Sequence, residues 1–177
     1  MKKIFLLFFL ATITTITHAQ KNDYLVSYDG IGALKLGLSK AELEKLLKIN
    51  ITLRHIGVDE VYVETIKAKY LGADVSLHLF RSEEKVAILE GVSTSSPLCK
   101  TADGIGTGTD QSTIINKFEN DLLIIHPDYE EDKPNSNQIT ITLAGINDYR
   151  SGITFTLVNK KVISIKVAPT PEFRDRE

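Results

Sequence analysis

The chain has one cysteine, one methionine and no tryptophan in 177 residues, and only 7% of its side chains are aromatic. With Cys99 alone, no disulfide can close within a chain, so stability in an oxidising compartment rests on the apolar core. No thiolate pair and no H-x-x-x-H spacing is present, which argues against a zinc site. There is no G-x-S-x-G and no placed serine triad. An excess of positive charge is also missing, with 21 basic side chains against 23 acidic ones, and this argues against a nucleic-acid or anionic-membrane partner. Beyond the first twenty residues no segment resembles a transmembrane helix.

Those first residues, MKKIFLLFFLATITTITHAQ, carry two lysines, an apolar run from Ile4 to Ala11, and Thr17-His18-Ala19 as a small-residue site before Gln20. This is the pattern of a secretory signal peptide, residues 1–19, cleaved after Ala19. The apolar run is too short to span a bilayer, so no membrane insertion is expected after cleavage. Cys99 lies far from the cleavage site and cannot be a lipid-bearing first residue. Lys2 and Lys3 leave with the leader, so the mature charge becomes about −4. The expected location is periplasmic or secreted. The remaining ~158 residues are enough to bury roughly 68–70% of the unfolded surface.

The mature chain reads as two copies of one unit. DGIGALKLGLSKAELEKLL, Asp29 to Leu47, recurs in looser form as DGIGTGTDQSTIINKF, Asp103 to Phe118. In the first copy Ser39 stands at a helix N-cap with Glu42 three residues on as a capping box, and Leu38 and Leu43 are placed as a hydrophobic staple. Leu43, Leu46 and Leu47 are spaced i, i+3, i+4, so Ser39 to Lys48 is expected to be an amphipathic helix. In the second copy Asp110 takes the cap position, and Ile114, Ile115 and Phe118 form the apolar side.

After each helix the period shifts toward two and β-branched residues accumulate. VYVETIKAKY, ADVSLHLF and KVAILEGV follow the first helix; QITITLA, GITFTLV and KVISIKVA follow the second. In ADVSLHLF, Val75, Leu77 and Leu79 share one face and Ser76, His78 and Phe80 the other. The expected organisation is a first repeat over 20–97, a second over 98–169 and a flexible tail over 170–177. The expected fold is α+β: a duplicated helix-plus-antiparallel-meander unit, with helices packed on antiparallel sheet.

The pattern Leu34-x-Leu36-Gly37-Leu38-Ser39-x-x-Glu42-Leu43 resembles the repeat of the β-lactamase-inhibitor-protein and small outer-membrane lipoprotein superfamily, and Asp103 to Ile114 resembles it with Gly108, Asp110 and Ile114 in the matching places. The chain carries neither the paired cysteines of the inhibitor repeats nor the lipobox of the lipoproteins. What the resemblance implies is an α+β repeat used to dock on other proteins of the cell envelope.

Candidate chemistry is sparse. Gly104-x-Gly106-x-Gly108 before a helix invites a phosphate-binding reading, but the dinucleotide fingerprint needs G-x-G-x-x-G in a strand-helix-strand unit. Recurrence of Gly30 and Gly32 in the first copy points instead to a turn needed by both. Cys99 would be a nucleophile if His78 or His126 lowered its pKa, whereas a lone cysteine beside a strand is commonly a small buried hydrophobe. Asp128, Glu130, Glu131 and Asp132 could gather a hard cation, yet the run lacks the order of a calcium loop. With Tyr129, the same acidic, turn-rich stretch from Pro127 to Asn137 is the expected contact loop for a partner.

The expectation is a non-enzymatic protein, with no cofactor and no metal, that binds an envelope or secreted protein through a sheet face or this loop. The alternatives are a thiol enzyme or hydrolase using Cys99, and a small-ligand carrier with a cavity between helix and sheet.

Overall fold

Alternation with a period of two builds most of this molecule. The computed structural model describes residues 23–54, 62–82, 85–130, 133–145 and 151–170; the expected leader, His55 and the tail beyond Thr170 lie outside them. Three short strands, β1 (Leu25–Ser27), β2 (Gly30–Ile31) and β3 (Leu34–Lys35), lead into helix α1 (Lys40–Leu47). A meander follows, β4 (Tyr62–Tyr70), β5 (Ala73–Ser82) and β6 (Lys85–Thr94). The second half opens with β7 (Lys100–Thr101) and helix α2 (Gln111–Lys117) and continues through β8 (Leu123–Glu130), β9 (Lys133–Ala144), β10 (Ser151–Val158) and β11 (Lys161–Pro169).

Both halves share one seven-stranded sheet, in the order β4-β5-β6-β11-β10-β9-β8, antiparallel throughout. The two meanders meet back to back, last strand against last strand, through Val92↔Val167, Ser93↔Lys166 and Thr94↔Ile165. A four-stranded sheet, β3-β2-β1-β7, joins the two openings through the parallel pair of β1 and β7. Strand β2 packs against both β6 and β11.

The α+β expectation is corrected here. Among the described residues there are eleven strands and two helices, and the fold is mostly β, not helices packed on a sheet. The helices are too short to form a layer. Helix α1 has eight residues and α2 seven, so each offers about one buried contact, Leu43 in the first and Ile114 in the second. Much of what covers the sheet is the small sheet and its loops, from which Val26, Ile31 and Leu34 enter the core.

Local signals nevertheless position these helices. Glu42 accepts from the Ser39 N–H at 2.8 Å while the Ser39 hydroxyl accepts from the Glu42 N–H, a complete capping box, and Lys48 ends the helix in the left-handed region. Asp110 occupies the second N-cap but makes no side-chain cap bond; its carboxylate instead pairs with Lys161 at 3.0 Å.

Each helix start is stitched to the last strand of its own meander. Gly37 N–H donates to Leu89 at 2.7 Å and Leu89 N–H donates to Leu38 at 2.7 Å. Gly108 N–H donates to Val162 at 2.8 Å and Val162 N–H to Thr109 at 3.0 Å. The turn before the first helix requires glycine: at Gly32, with φ +56°, an added Cβ would lie 2.0 Å from the Asp23 carbonyl oxygen.

The stretch from Pro127 to Asn137, expected as a loop, is also corrected. β8 runs on to Glu130 and β9 begins at Lys133, paired Asp128↔Asn135, Tyr129↔Pro134 and Glu130↔Lys133. A bulge after Pro127 absorbs the register change, and an edge strand tolerates the missing proline N–H. Thr170, assigned to the tail by sequence, is buried.

Candidate functional site

Strand alternation gives the large sheet two unlike faces. The inner face carries Leu77, Leu79, Leu89, Ile141, Phe155 and Ile165, all fully buried against the helices and the small sheet. No described element covers the outer face, which is dominated by short polar side chains. The pairing register lines up one row across six strands, Lys67, Ser76, Ser93, Lys166, Thr154 and Thr142. A neighbouring row runs Ser164, Thr156, Thr140 and His126. At the other end of the face Val63, Phe80 and Ile88 form an apolar strip, in which Val63 is 46% and Ile88 36% exposed.

His78 stands between the rows and the strip. Its Nδ1 lies 3.0 Å from Thr65 Oγ1 and its Nε2 3.1 Å from Ser93 Oγ, so hydroxyls satisfy both ring nitrogens. Burial holds its pKa below the ordinary histidine value, and the Lys166 ammonium pushes in the same direction. Ser93, His78 and Thr65 follow the order of a nucleophile, base and orienting group. However, Ser93 is paired on both sides in mid-sheet, which turns the local N–H groups into the ladder, and the orienting group is a neutral hydroxyl. The arrangement fixes the imidazole in the outer face of the sheet.

Two hollows open on this face. The first, of 430 Å³, includes Lys67, Ser76 and Ser93 in its lining; the second, of 300 Å³, includes Thr142, Thr154 and Lys166. These are the same row positions counted outward from the β6–β11 seam, so the sheet makes the concavity twice. Their chemistry differs. In the second, Thr142 and Thr154 hydroxyls bond to each other at 3.0 Å. In the first, Ser76, Ser95 and Ser164 hydroxyls make no side-chain hydrogen bond among the described residues.

Both sheet edges are blunted against strand addition. On β4 the charges of Lys67 and Lys69 face outward, and Glu64, 8% exposed, turns inward to accept from the Arg54 N–H at 3.1 Å. On β8 Pro127 and its bulge interrupt the edge.

The other sequence candidates separate. Cys99 is fully buried, burial raises its thiol pKa, and its recorded hydrogen-bond neighbour is Thr94. Both nitrogens of His78 are engaged elsewhere, and His126 stands on β8, four strands from the β6 end where Thr94 lies. The glycine N–H groups suspected of anion binding have internal acceptors: Gly104 donates to Thr101 at 2.9 Å, Gly106 to the Thr109 hydroxyl at 3.1 Å and Gly108 to Val162. Asp128, Tyr129 and Glu130 lie at the end of β8, while Glu131 and Asp132 fall outside the described residues.

Among the described residues no group of three or more His, Cys, Asp or Glu side chains is placed to hold a metal, and no helix is long and apolar enough to cross a membrane. The hydroxyl rows escaped the sequence reading, although alternating hydroxyls in ADVSLHLF, QITITLA and GITFTLV were its available signal. No protein-family model, no curated protein and no solved structure matches the chain.

Proposed function

We propose that the mature chain is a non-catalytic, periplasmic or secreted binding protein that holds an envelope or secreted protein against the outer face of its seven-stranded sheet. One observation carries this reading: a face that no described element covers joins an apolar strip with an aromatic member, Val63, Phe80 and Ile88, to broad rows of short hydroxyl side chains. Specific interfaces commonly surround a few aromatic and aliphatic anchors with a hydrogen-bonding rim. Edges blunted against strand addition leave the face as the recognition surface. The leader-like first nineteen residues support the location, and the resemblance of the two openings to an envelope-protein repeat supports docking. Asp128, Tyr129 and Glu130 at the end of β8, with Glu131 and Asp132 next in sequence, contribute a second, acidic contact.

The test is capture from an envelope extract with the chain from residue 20 to 177, beside Phe80→Ser and beside a chain whose 127–137 hairpin is shortened with Gly and Ser. A partner held by the first and lost by Phe80→Ser supports the face. A partner indifferent to Phe80 but lost with the hairpin moves the contact to the acidic end. Side-chain-dependent turnover of a substrate would sink the reading.

A further inference from the structure

The first hollow has a chemistry that a protein-docking face does not require. Among the described residues Lys67 has no ion-pair partner, and beside it Ser76, Ser95 and Ser164 present hydroxyls that make no side-chain hydrogen bond. The pairing brings them together: Ser76 lies opposite both Lys67 and Ser93, Ser95 follows Ser93 on the same face, and Ser164 precedes Ile165, the partner of Thr94. The one carboxylate in the lining, Asp74, is held by Lys69 at 2.8 Å. Three available O–H donors around one unpaired ammonium suit a group with several acceptor oxygens and negative charge. At 430 Å³ the hollow has room for such a group together with a small polar body.

We propose that this hollow is a binding site for a phosphate monoester, with Lys67 supplying charge and Ser76, Ser95 and Ser164 supplying hydrogen bonds to the phosphoryl oxygens. The hollow lies in the face assigned to a protein partner, but its chemistry comes from its own lining and does not rest on that contact. The second hollow is its internal control, because the same fold positions there carry threonines whose hydroxyls are spent on each other. A soluble ester and a lipid headgroup offer the same phosphoryl chemistry.

The experiment is an amide chemical-shift titration of residues 20–177 with glycerol 3-phosphate at fixed ionic strength, with glycerol as the neutral control. Saturable shifts at Lys67, Ser76, Ser95 and Ser164, weakened about tenfold or more by Ser76→Ala with Ser164→Ala and again by Lys67→Gln, are expected. Thr154→Ala in the second hollow should leave the affinity unchanged. Sedimentation with phosphatidylcholine vesicles, with and without phosphatidate, assigns the source: phosphatidate-dependent binding means a headgroup, and binding of the soluble ester alone means a free metabolite. Shifts that do not saturate, that glycerol reproduces, or that persist undiminished in both the folded serine double variant and Lys67→Gln would overturn the site.

Discussion

His78 on β5 reaches diagonally to Ser93 on β6, with Nε2 3.1 Å from Oγ, and Thr65, its direct partner on β4, closes the other side of the ring at 3.0 Å. Burial of the ring, with the Lys166 ammonium nearby, makes folding favour the neutral imidazole and lowers its pKa. Above the unfolded histidine value, near 6.5, the group is neutral in both states and costs nothing. As pH falls below that value the unfolded chain takes the proton first, and stability declines until the lower folded pKa is passed. Urea unfolding followed from pH 7.5 down to 5 should show this loss, and His78→Gln should flatten it. An unchanged slope in the variant would assign the pH dependence elsewhere.

Phe155 is fully buried, with Ile141 and Ile165 as its cross-strand partners on the inner face. Phe155→Ala removes a fully buried ring from β10, an interior strand of the seven-stranded sheet, and leaves a cavity between β9 and β11. The expected loss is about 3–5 kcal/mol by urea or thermal unfolding. A loss below 1 kcal/mol would mean that the core repacks freely.

Ser39 and Glu42 close a reciprocal cap on a helix of only eight residues. Ser39→Ala is expected to cost about 0.5–2 kcal/mol in equilibrium unfolding, whereas Asp110→Ala, at a cap position without the side-chain bond, should cost less. Equal losses would show that the Ser39 hydroxyl adds nothing specific.

Cys99 should be nearly inert to a thiol-directed disulfide reagent in the native protein and titrate fully in denaturant, because its sulfur is buried and its pKa raised. Rapid labelling of the folded chain would revive the thiol-enzyme reading.

Six of the seven strands of the large sheet, β4 to β6 and β9 to β11, were legible because they announce themselves by alternation, and Ser39 with Glu42 was legible because a capping box is local. The helices were given too much weight, since a clear cap says where a helix begins and little about how far it extends. Strand β8 was hidden as a whole: Leu123 to Ile125 is an apolar run without alternation, and Pro127, Asp128 and Asn135 carry turn preferences, while their strand character comes from pairing with a neighbour. Strands of two or three residues, such as β2 and β7, leave no periodic trace. The hydroxyl row was half visible: Ser76 and His78 could be assigned to one face of their strand, but the alignment of Ser76 with Ser93 and Lys166 depends on register between distant segments.

Only three residue pairs splice β6 to β11, against nine between β4 and β5, and closing the splice brings together segments roughly seventy residues apart. Ile31 is fully buried on β2, the strand that packs against both β6 and β11, and lines neither hollow. The seam from which both concavities are counted is thus backed, on the inner side, by a short strand whose buried side chain lies outside both hollows.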